Sequence, residues 1–315
     1  MSNYSLVITL VENNGPTVSF YSFANFTFFY TGAATCTGVT SCGVGLVGLT
    51  PNATMTGPIT GTFDPTPAIT PSGVITAGNY GGFPSIAPAT WVEIYGVNLA
   101  TTRSQQWAST DFNGTQAPAA LGGTTVTVAG IPAFIDFVSP AQVNIQVPSG
   151  VAAGPQPLVV TTAGGVSAAY TVTVNSVEPG LLAPPSFILS GAQNVVALSS
   201  NTLTYVLPVA VPGAATARAQ PGDNITLYGI GFGPVTPNIP AGQIVQQTDT
   251  LQSALKVFFA GVPATVNYSG LVVGYLGLYQ FNVVVPAVAA SDSVPVTFTL
   301  SGASGPQNLV IAIKN

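Results

Sequence analysis

The chain contains one pattern twice, and this duplication constrains its fold more than any other feature. In the first copy, residues 125–133 read Thr-Val-Thr-Val-Ala-Gly-Ile-Pro-Ala and lead to Gln-Val-Asn-Ile-Gln-Val-Pro at 142–148. In the second copy, residues 255–264 read Leu-Lys-Val-Phe-Phe-Ala-Gly-Val-Pro-Ala and lead to Gln-Phe-Asn-Val-Val-Val-Pro at 280–286. The repetition predicts two duplicated domains.

The spacing between the copies is nearly constant. Pro88 corresponds to Pro221, 133 residues later, and Gln142 corresponds to Gln280, 138 residues later. Within each copy, short runs that alternate apolar and polar residues are separated by Gly and Pro, which is the pattern of half-buried strands joined by turns. About seven such strands in a domain of this length are typical of a sandwich.

We therefore predict an all-β protein: tandem immunoglobulin-like β-sandwiches preceded by a small β-rich N-terminal segment. The N-terminal segment spans residues 1–68. A linker is expected at 66–71, the first sandwich at 72–178, and the second sandwich with the linker before it at 179–315.

The N-terminal segment has strand patterns and no charged residue between Asn13 and Phe63. Sheet edges are normally protected by charges, so an uncharged segment is expected to pair or pack against something. One interpretation is a small β-domain that rests on its neighbour. The other is a strand that completes a sheet in another subunit. The candidate assembly strand has its alternating positions at Ser5, Val7, Thr9 and Val11.

Cys36 and Cys42 are the two cysteines of the chain, and they lie in a short loop rich in Gly and Thr. We predict a local disulfide between them, which would stabilise the fold by about 2 kcal/mol; two free thiols are the alternative. Since there is no His and no cluster of other ligands, no metal site is expected.

Charge is unusually scarce. Only 4% of the residues are charged, against roughly 25% in an ordinary domain. Nine acidic residues outnumber four basic ones, which argues against nucleic acid as a partner. No apolar run reaches the roughly 18 residues that predict a membrane helix. The first four residues lack the features of a signal peptide, so an export signal would lie outside this sequence.

Catalytic patterns are weak. Without His, the Ser-His-Asp and Cys-His arrangements are excluded. The acidic residues are scattered along the sequence, and Glu93 aligns with Thr226 of the second copy, so we interpret Glu93 as a residue on a strand face and predict no carboxylate pair. The segment at 229–233, Gly-Ile-Gly-Phe-Gly, precedes proline instead of a helix and reads as a turn that ends a strand. We expect no enzymatic activity and no cofactor.

Aromatic residues permit two interpretations: packing in the core or between domains, or a platform on which sugars stack. The residues concerned are Trp91, Trp107, Tyr80, Tyr95 and Tyr228. Only the tyrosine of the Tyr-Gly pair recurs in both copies, which favours packing.

Three motifs carry a resemblance to a known family. Pro-X-X-X-Val/Ile-X-Ile/Leu-Tyr-Gly stands at 88–96 and 221–229, followed in each copy by the Ala-Gly-Ile/Val-Pro-Ala hairpin and by Gln-X-Asn-X-X-Val-Pro. Over residues 72–315, the chain resembles the uncharacterised repeated C-terminal domain of acidobacterial secreted proteins, which is similar to the IPT/TIG immunoglobulin-like domains. The resemblance implies export and an extracellular or cell-surface location, and it supplies no activity or site residue.

Two functions follow from these features. The first is a structural extracellular protein, a subunit of a self-assembling filament, sheath or surface layer. The surface carries too few charges to keep subunits apart by electrostatic repulsion. Rods that join head to tail, with a rotation that does not close, form open polymers. The alternative is a surface adhesin or carbohydrate-binding module. The expected partners are copies of the chain itself and, in the alternative, surface glycans.

Overall fold

The computed structural model describes residues 6–10, 18–22, 66–101 and 103–315, and its regular structure is almost entirely β. The all-β fold class is thereby confirmed. The chain divides into two units, Met1–Pro65 and Thr66–Asn315. In the first unit, strand β1 (Leu6–Leu10) pairs antiparallel with β2 (Val18–Ser22).

The second unit contains two β-sandwiches. The first sheet of the first sandwich has the spatial order β3 (Ala68–Thr76), β5 (Trp91–Val97), β11 (Gln142–Gln146), β10 (Phe134–Val138) and β6 (Gln105–Gln106). Its second sheet has the order β4 (Ser85–Ile86), β14 (Tyr170–Val174), β12 (Gly154–Thr162), β8 (Thr124–Val128) and β7 (Ala120–Leu121), with β13 (Gly165–Val166) on β12 and β9 (Ile131–Pro132) on β8.

The second sandwich repeats this plan with additional strands. Its first sheet has the order β20 (Thr216–Ala217), β19 (Tyr205–Val206), β18 (Ala197–Ser199), β21 (Asn224–Ile230), β27 (Tyr279–Val284) and β26 (Thr265–Leu271), with β15 (Gly180–Leu181) also on β21. Its second sheet has the order β25 (Val262–Pro263), β24 (Leu255–Phe259), β28 (Ser291–Leu300) and β29 (Ala303–Ser304), with β30 (Leu309–Ile313) on β28.

Smaller elements complete the described chain. Two small two-stranded sheets are formed by β16 (Ile188–Leu189) with β17 (Ala192–Gln193) and by β22 (Val235–Thr236) with β23 (Thr250–Leu251). Single turns of 3₁₀ helix lie at Gly78–Tyr80, Ser109–Asp111 and Pro185–Phe187. Among the residues that the structure describes, no helix has the length and apolar character that a membrane span requires.

Alternation along the strands builds the two cores. In β11, Val143 and Ile145 are fully buried between the sheets, while Gln142 and Asn144 point to the outward face. Neighbouring side chains in a strand point to opposite faces, so one face of each sheet can be apolar. Each fully buried large aliphatic side chain stabilises the fold by about 1.5–3 kcal/mol. The two sandwiches have separate apolar clusters of this kind.

The duplicated Ala-Gly sequence forms the same tight turn in both copies. Ala129 and Gly130 have φ values of 52° and 77°, and Ala260 and Gly261 have values of 47° and 80°. Two consecutive positive φ values define the type I′ turn, whose twist matches the hairpins β8–β9 and β24–β25. The motif recognised in the sequence is therefore a turn motif.

A second local feature is also duplicated. The register between β10 and β11 shifts after Ile135, and the register between β26 and β27 shifts after Val266. Each shift is a β-bulge, in which one strand carries an extra residue. The extra residues are Asp136 in the first copy and Asn267 in the second.

Two predicted boundaries differ from the structure. Residues 66–71 were expected to be a linker, but β3 begins at Ala68, which pairs with Val97 of β5. The expected start of the first sandwich at residue 72 therefore falls inside β3. The long connection before the second copy also contributes to a sheet, because Leu198 of β18 pairs with Thr226 of β21.

The two sandwiches are joined by hydrogen bonds between loops and strand ends. The backbone N–H of Ala117 donates to the carbonyl of Gly242 at 2.7 Å, and that of Ile244 donates to Thr115 at 2.9 Å. Gly242 N–H donates to Oε1 of Gln146 at 2.7 Å. We call this contact region the junction. Because its bonds involve backbone groups held in fixed loops, it connects the two sandwiches firmly.

Candidate functional site

The outward face of the first sheet of the first sandwich carries a group of neighbouring polar side chains. The polar face, as we call it, consists of Glu93, Tyr95, Asp136, Gln142 and Asn144. In the register of β5 and β11, Glu93 lies opposite Asn144 and Tyr95 opposite Gln142. Asn144 also lies opposite Phe137, the neighbour of Asp136 in β10. The two carboxylates therefore flank the central strand, with Asn144 between them.

Glu93 is held in place by two donors. Its Oε1 accepts the backbone N–H of Gly78 at 3.1 Å, and its Oε2 accepts the hydroxyl of Tyr95 at 2.5 Å. Burial and the neighbouring Glu93 raise the pKa of Tyr95 to about 12, so the phenol keeps its proton at neutral pH. The side chain of Tyr95 is exposed at the surface. The pair is a fixed carboxylate beside an accessible ring.

Asp136 is the extra residue of the bulge. Burial raises the pKa of its carboxyl to about 6; Glu93 adds to the shift, while the backbone N–H of Asp136 and the side chain of Asn144 oppose it. Its Oδ1 is buried and has no hydrogen-bond partner among the described residues. Buried polar atoms are usually paired, and exceptions require an explanation. One acceptor of the polar face is thus left unused within the described chain.

The amide side chains are oriented by each other. Gln142 donates through Nε2 to Oδ1 of Asn144 at 2.8 Å. With its oxygen engaged, Asn144 presents its NH₂ group, and that side chain also bonds Asp136. The result is a row of hydrogen-bonding groups across three strands: the carboxylate of Glu93, the NH₂ group of Asn144 and the carboxylate of Asp136. Adjacent strands lie about 4.8 Å apart, so the backbones under the two carboxylates are about 10 Å apart.

Aromatic rings cluster along one side of this sheet. The rings of Trp91 and Trp107 meet edge to face with centroids 5.7 Å apart, and Phe112 lies 4.9 Å from Trp107. The indole N–H of Trp91 donates to the carbonyl of Leu276 in the second sandwich at 2.9 Å. Trp91 is therefore part of the junction, while Trp107 follows directly after the edge strand β6. Packing between domains therefore applies to Trp91, and the sugar-stacking interpretation of the other rings stays a prediction.

The same sheet of the second sandwich carries a neutral version of the face. Thr226 stands at the position of Glu93 and Asn267 at the position of Asp136, whereas Asn282 corresponds to Asn144. Thr226 donates to Oδ1 of Asn282 at 3.2 Å. Asn224, which replaces Trp91, accepts a hydrogen bond from Asn267 at 3.1 Å. The second copy has the same register without the charges and the indole.

The acidic residues are scattered in the sequence, but the fold brings two of them to the polar face. Glu93 and Asp136 are 43 positions apart in the sequence, but β5 and β10 both flank β11 in the sheet. Glu93 is on a strand face, as predicted, although it is bonded instead of freely solvated. A sequence signal existed: Ile135 and Val138 are both buried but three residues apart, which breaks strict alternation and indicates a bulge.

Other predicted site residues are placed as follows. Val7 and Thr9 of the candidate assembly strand lie in β1, opposite Tyr21 and Ser19 of β2. Ser5, Val11, Cys36 and Cys42 lie outside the described residues, so the disulfide stays a prediction. In the part of the chain that the structure describes, no group of three or more acidic, His or Cys side chains is arranged to hold a metal ion.

No family model and no curated protein matches the chain. Among solved structures, it is similar to the SGBP-B protein of a mixed-linkage glucan utilization locus of Bacteroides ovatus, solved with a heptasaccharide. That match has a TM-score of 0.34 and 12% identity, covering 79% of this chain and 45% of that one.

Two further solved structures also match this chain. SGBP-B from a xyloglucan utilization locus of Bacteroides uniformis matches with a TM-score of 0.23 and 13% identity, over 79% of this chain and 49% of that one. Domains 5–6 of the S-layer protein SbsC match with a TM-score of 0.22 and 11% identity, over 79% of this chain and 99% of that one. The chain spans about half the length of the two SGBP-B proteins.

Proposed function

We propose that this chain is an extracellular surface protein that binds a neutral glycan on the polar face of its first sandwich. One observation carries the proposal: Glu93, Asp136 and Asn144 lie side by side on one outward sheet face, and hydrogen bonds hold their side chains in place. Neighbouring sugar hydroxyls are donors and acceptors at short spacing, and carboxylates and amides bind them through charge-assisted and neutral hydrogen bonds.

The aromatic residues supply the apolar part of such a site. Tyr95 at one end and Trp107 at the side of the sheet each present a ring that is at least partly accessible. Rings of this kind bury apolar area and keep a polar edge in water, as a sugar ring requires of its partner. Two carboxylates and a net charge of −5 disfavour acidic glycans, so the ligand we propose is uncharged.

We infer that binding is not followed by turnover. A glycosidase needs one carboxyl group that protonates the leaving oxygen and a second that is free to act as base or nucleophile. Glu93 has both oxygens engaged, by Gly78 and Tyr95. The resemblance to the repeated domain of acidobacterial secreted proteins is part of the same proposal, and it supports a location at the cell surface.

The test compares matched residues of the two copies. Asn144→Ala removes an amide that Gln142 orients, and Asn282→Ala removes one that Gln280 orients in the same way, at 2.9 Å. Full-length variants are assayed by affinity electrophoresis in neutral polysaccharides and on a glycan array. We expect Asn144→Ala to weaken binding at least tenfold, because hydrogen bonds near charged groups contribute about 1.5–3 kcal/mol, and Asn282→Ala to leave it unchanged.

A second variant reports on the charges. Glu93→Thr installs the residue that the second copy has at this position, so it is compatible with the fold, and it is expected to abolish retention. If the wild type is retained by no neutral glycan, or if the two Asn variants lose binding equally, the polar face is not the binding site.

Self-assembly is a second candidate, favoured by the hairpin β1–β2, whose two strands carry no charged residue. Within the described residues each of its strands pairs on one edge only, and isolated two-stranded hairpins are marginally stable. Pairing with a second copy would cover the free edges. Negative-stain electron microscopy of the full chain and of a chain beginning at Thr66 distinguishes the cases. Uniform particles from both would exclude assembly through the hairpin.

A further inference from the structure

A concave site lies where the two sandwiches meet, separate from the polar face. It encloses about 260 Å³. The first sandwich contributes the loop at Pro88 and the loop at Ser149, and the second contributes Pro234, Leu271 and Tyr279. Small-molecule sites occur preferentially in such clefts between domains.

The walls of this pocket are fixed by the junction. Ala241 donates its backbone N–H to Oγ of Ser149 at 2.8 Å, and Nε2 of Gln146 donates to the carbonyl of Ala89 at 3.0 Å. At Gly277, with φ of +62°, a Cβ atom would lie 2.3 Å from Nε2 of Gln146. Only glycine fits at this position, because the backbone lies so close to the side chain of Gln146. The pocket therefore exists before any ligand arrives.

Polar groups without partners face this space. Ser149 accepts one hydrogen bond but donates none to another described residue, so its hydroxyl proton is available. Ser176 and Asn238 are exposed and make no hydrogen bond with the rest of the described chain. Between them stand the apolar surfaces of Pro88 and Pro234. Hydroxyl and amide groups thus converge on a space with apolar walls.

The lining contains no Asp, Glu, Lys or Arg. An ionic ligand would lose hydration here without gaining an opposite charge, which is costly. The volume lies just below the range of roughly 300–1,000 Å³ that suits drug-sized ligands, so a ligand of a single ring is the appropriate size. It has to combine hydroxyl or amide groups with an apolar face.

We propose that the pocket between the sandwiches binds one neutral sugar ring. The proposal is independent of glycan binding at the polar face, because the two sites share no residue. Ligands of this size typically bind weakly, and we expect a Kd on the order of 1 mM. A bound ring contacts both sandwiches at once and therefore reinforces the junction.

The experiment is saturation-transfer difference NMR of the full-length protein with glucose, galactose, mannose and N-acetylglucosamine, and with glucuronate as the charged comparison. We expect a signal from at least one neutral sugar and none from glucuronate. Ser176→Trp, at the exposed rim, fills the pocket and is expected to remove the signal. Asn238→Ala is expected to weaken binding several-fold, because it removes an amide that no other described residue uses.

Controls separate this site from the polar face. All of these spectra are recorded in the Asn144→Ala background, so that the polar face contributes little to the signal. Thr171→Trp adds the same ring at an exposed position of β14 that does not line the pocket, and it should keep the signal. Circular dichroism establishes that each variant is folded. The proposal is overturned if no neutral sugar gives a signal, or if the signal persists in both Ser176→Trp and Asn238→Ala.

Discussion

At the scale of single residues, Asp136 stands out because its position is unfavourable for a carboxylate. Its pKa is raised to about 6, first by burial and then by Glu93, so the folded protein favours the protonated form. Above that pH, the chain keeps a charge where a neutral group would be more stable. Residues of this kind concentrate at functional sites, where stability is exchanged for binding.

Asp136→Asn should therefore stabilise the protein at neutral pH. The folded pKa lies above the ordinary value of 3.8, so the destabilisation by Asp136 is complete above about pH 6 and disappears below about pH 4. We expect the free energy of unfolding to rise by about 3 kcal/mol at pH 7, since each of the roughly two pKa units corresponds to about 1.4 kcal/mol.

Urea unfolding of wild type and variant at pH 4 and pH 7 measures this difference. Burial also raises the pKa of Asp249, and comparing Asp136→Asn with wild type cancels that contribution. Equal stabilisation at both pH values would show that ionisation of Asp136 is not the cause.

Some of the polar face was predictable residue by residue. The alternation of Gln142, Val143, Asn144 and Ile145 placed two amides on the outward face, where the structure has them. The partnership of Glu93 with Asp136 was not predictable from spacing, because it depends on the order of strands in the sheet. Trp91 was similarly ambiguous, since its indole bonds a carbonyl 185 positions away.

At the scale of elements, the duplicated hairpin offers an internal replicate. A Cβ atom added at Gly130 or at Gly261 would meet nothing within 4 Å, so substitution there tests the backbone alone. We expect Gly130→Ala and Gly261→Ala each to cost about 1 kcal/mol, because an L-residue other than glycine is strained at positive φ.

Denaturant midpoints measure both variants, and the m-value should not change. Similar losses of stability in Gly130→Ala and Gly261→Ala would indicate that backbone strain in the turn determines the cost in both copies. A loss in one copy several times larger than in the other would mean that contacts of the loop, and not its backbone, determine the cost.

The strands themselves were predicted well where alternation and repetition coincide. Those of the motif, such as β8 and β24, follow the sequence pattern closely. The first residues of β3, up to Pro71, were assigned to a linker. Pro71 and Gly73 lie where the register of β3 with β5 shifts. Its pairing is with a strand much later in the chain, and local sequence carries little information about such partners.

At the scale of the whole molecule, the junction sets how the two sandwiches of the second unit behave together. Gln146 is 2% exposed. Its side chain accepts a hydrogen bond from Gly242 of the second sandwich and donates one to Ala89 of its own sandwich. Gln146→Ala would leave two backbone groups without partners, one of them the buried N–H of Gly242. An unpaired buried group costs about 1–3 kcal/mol, so we expect a loss of about 2–3 kcal/mol.

Hydrogen exchange locates that effect. The amides of Ala117 and Ile244, which donate across the junction, should exchange faster in Gln146→Ala while those of β12 stay protected. Gln156→Ala is the control, since its side chain makes a single bond at the surface, to Ala152 at 3.1 Å. Equal effects of the two substitutions would show that Gln146 has no special role in the junction.

The paired bulges bear on how such a chain can diversify. In each copy the extra residue lies outside the apolar clusters, with Asp136 in one and Asn267 in the other. A mutation at this position alters what the surface offers to its surroundings and leaves the core sequence unchanged. Two copies of one fold can therefore present a charged surface in one domain and a neutral surface in the other while the core pattern stays the same.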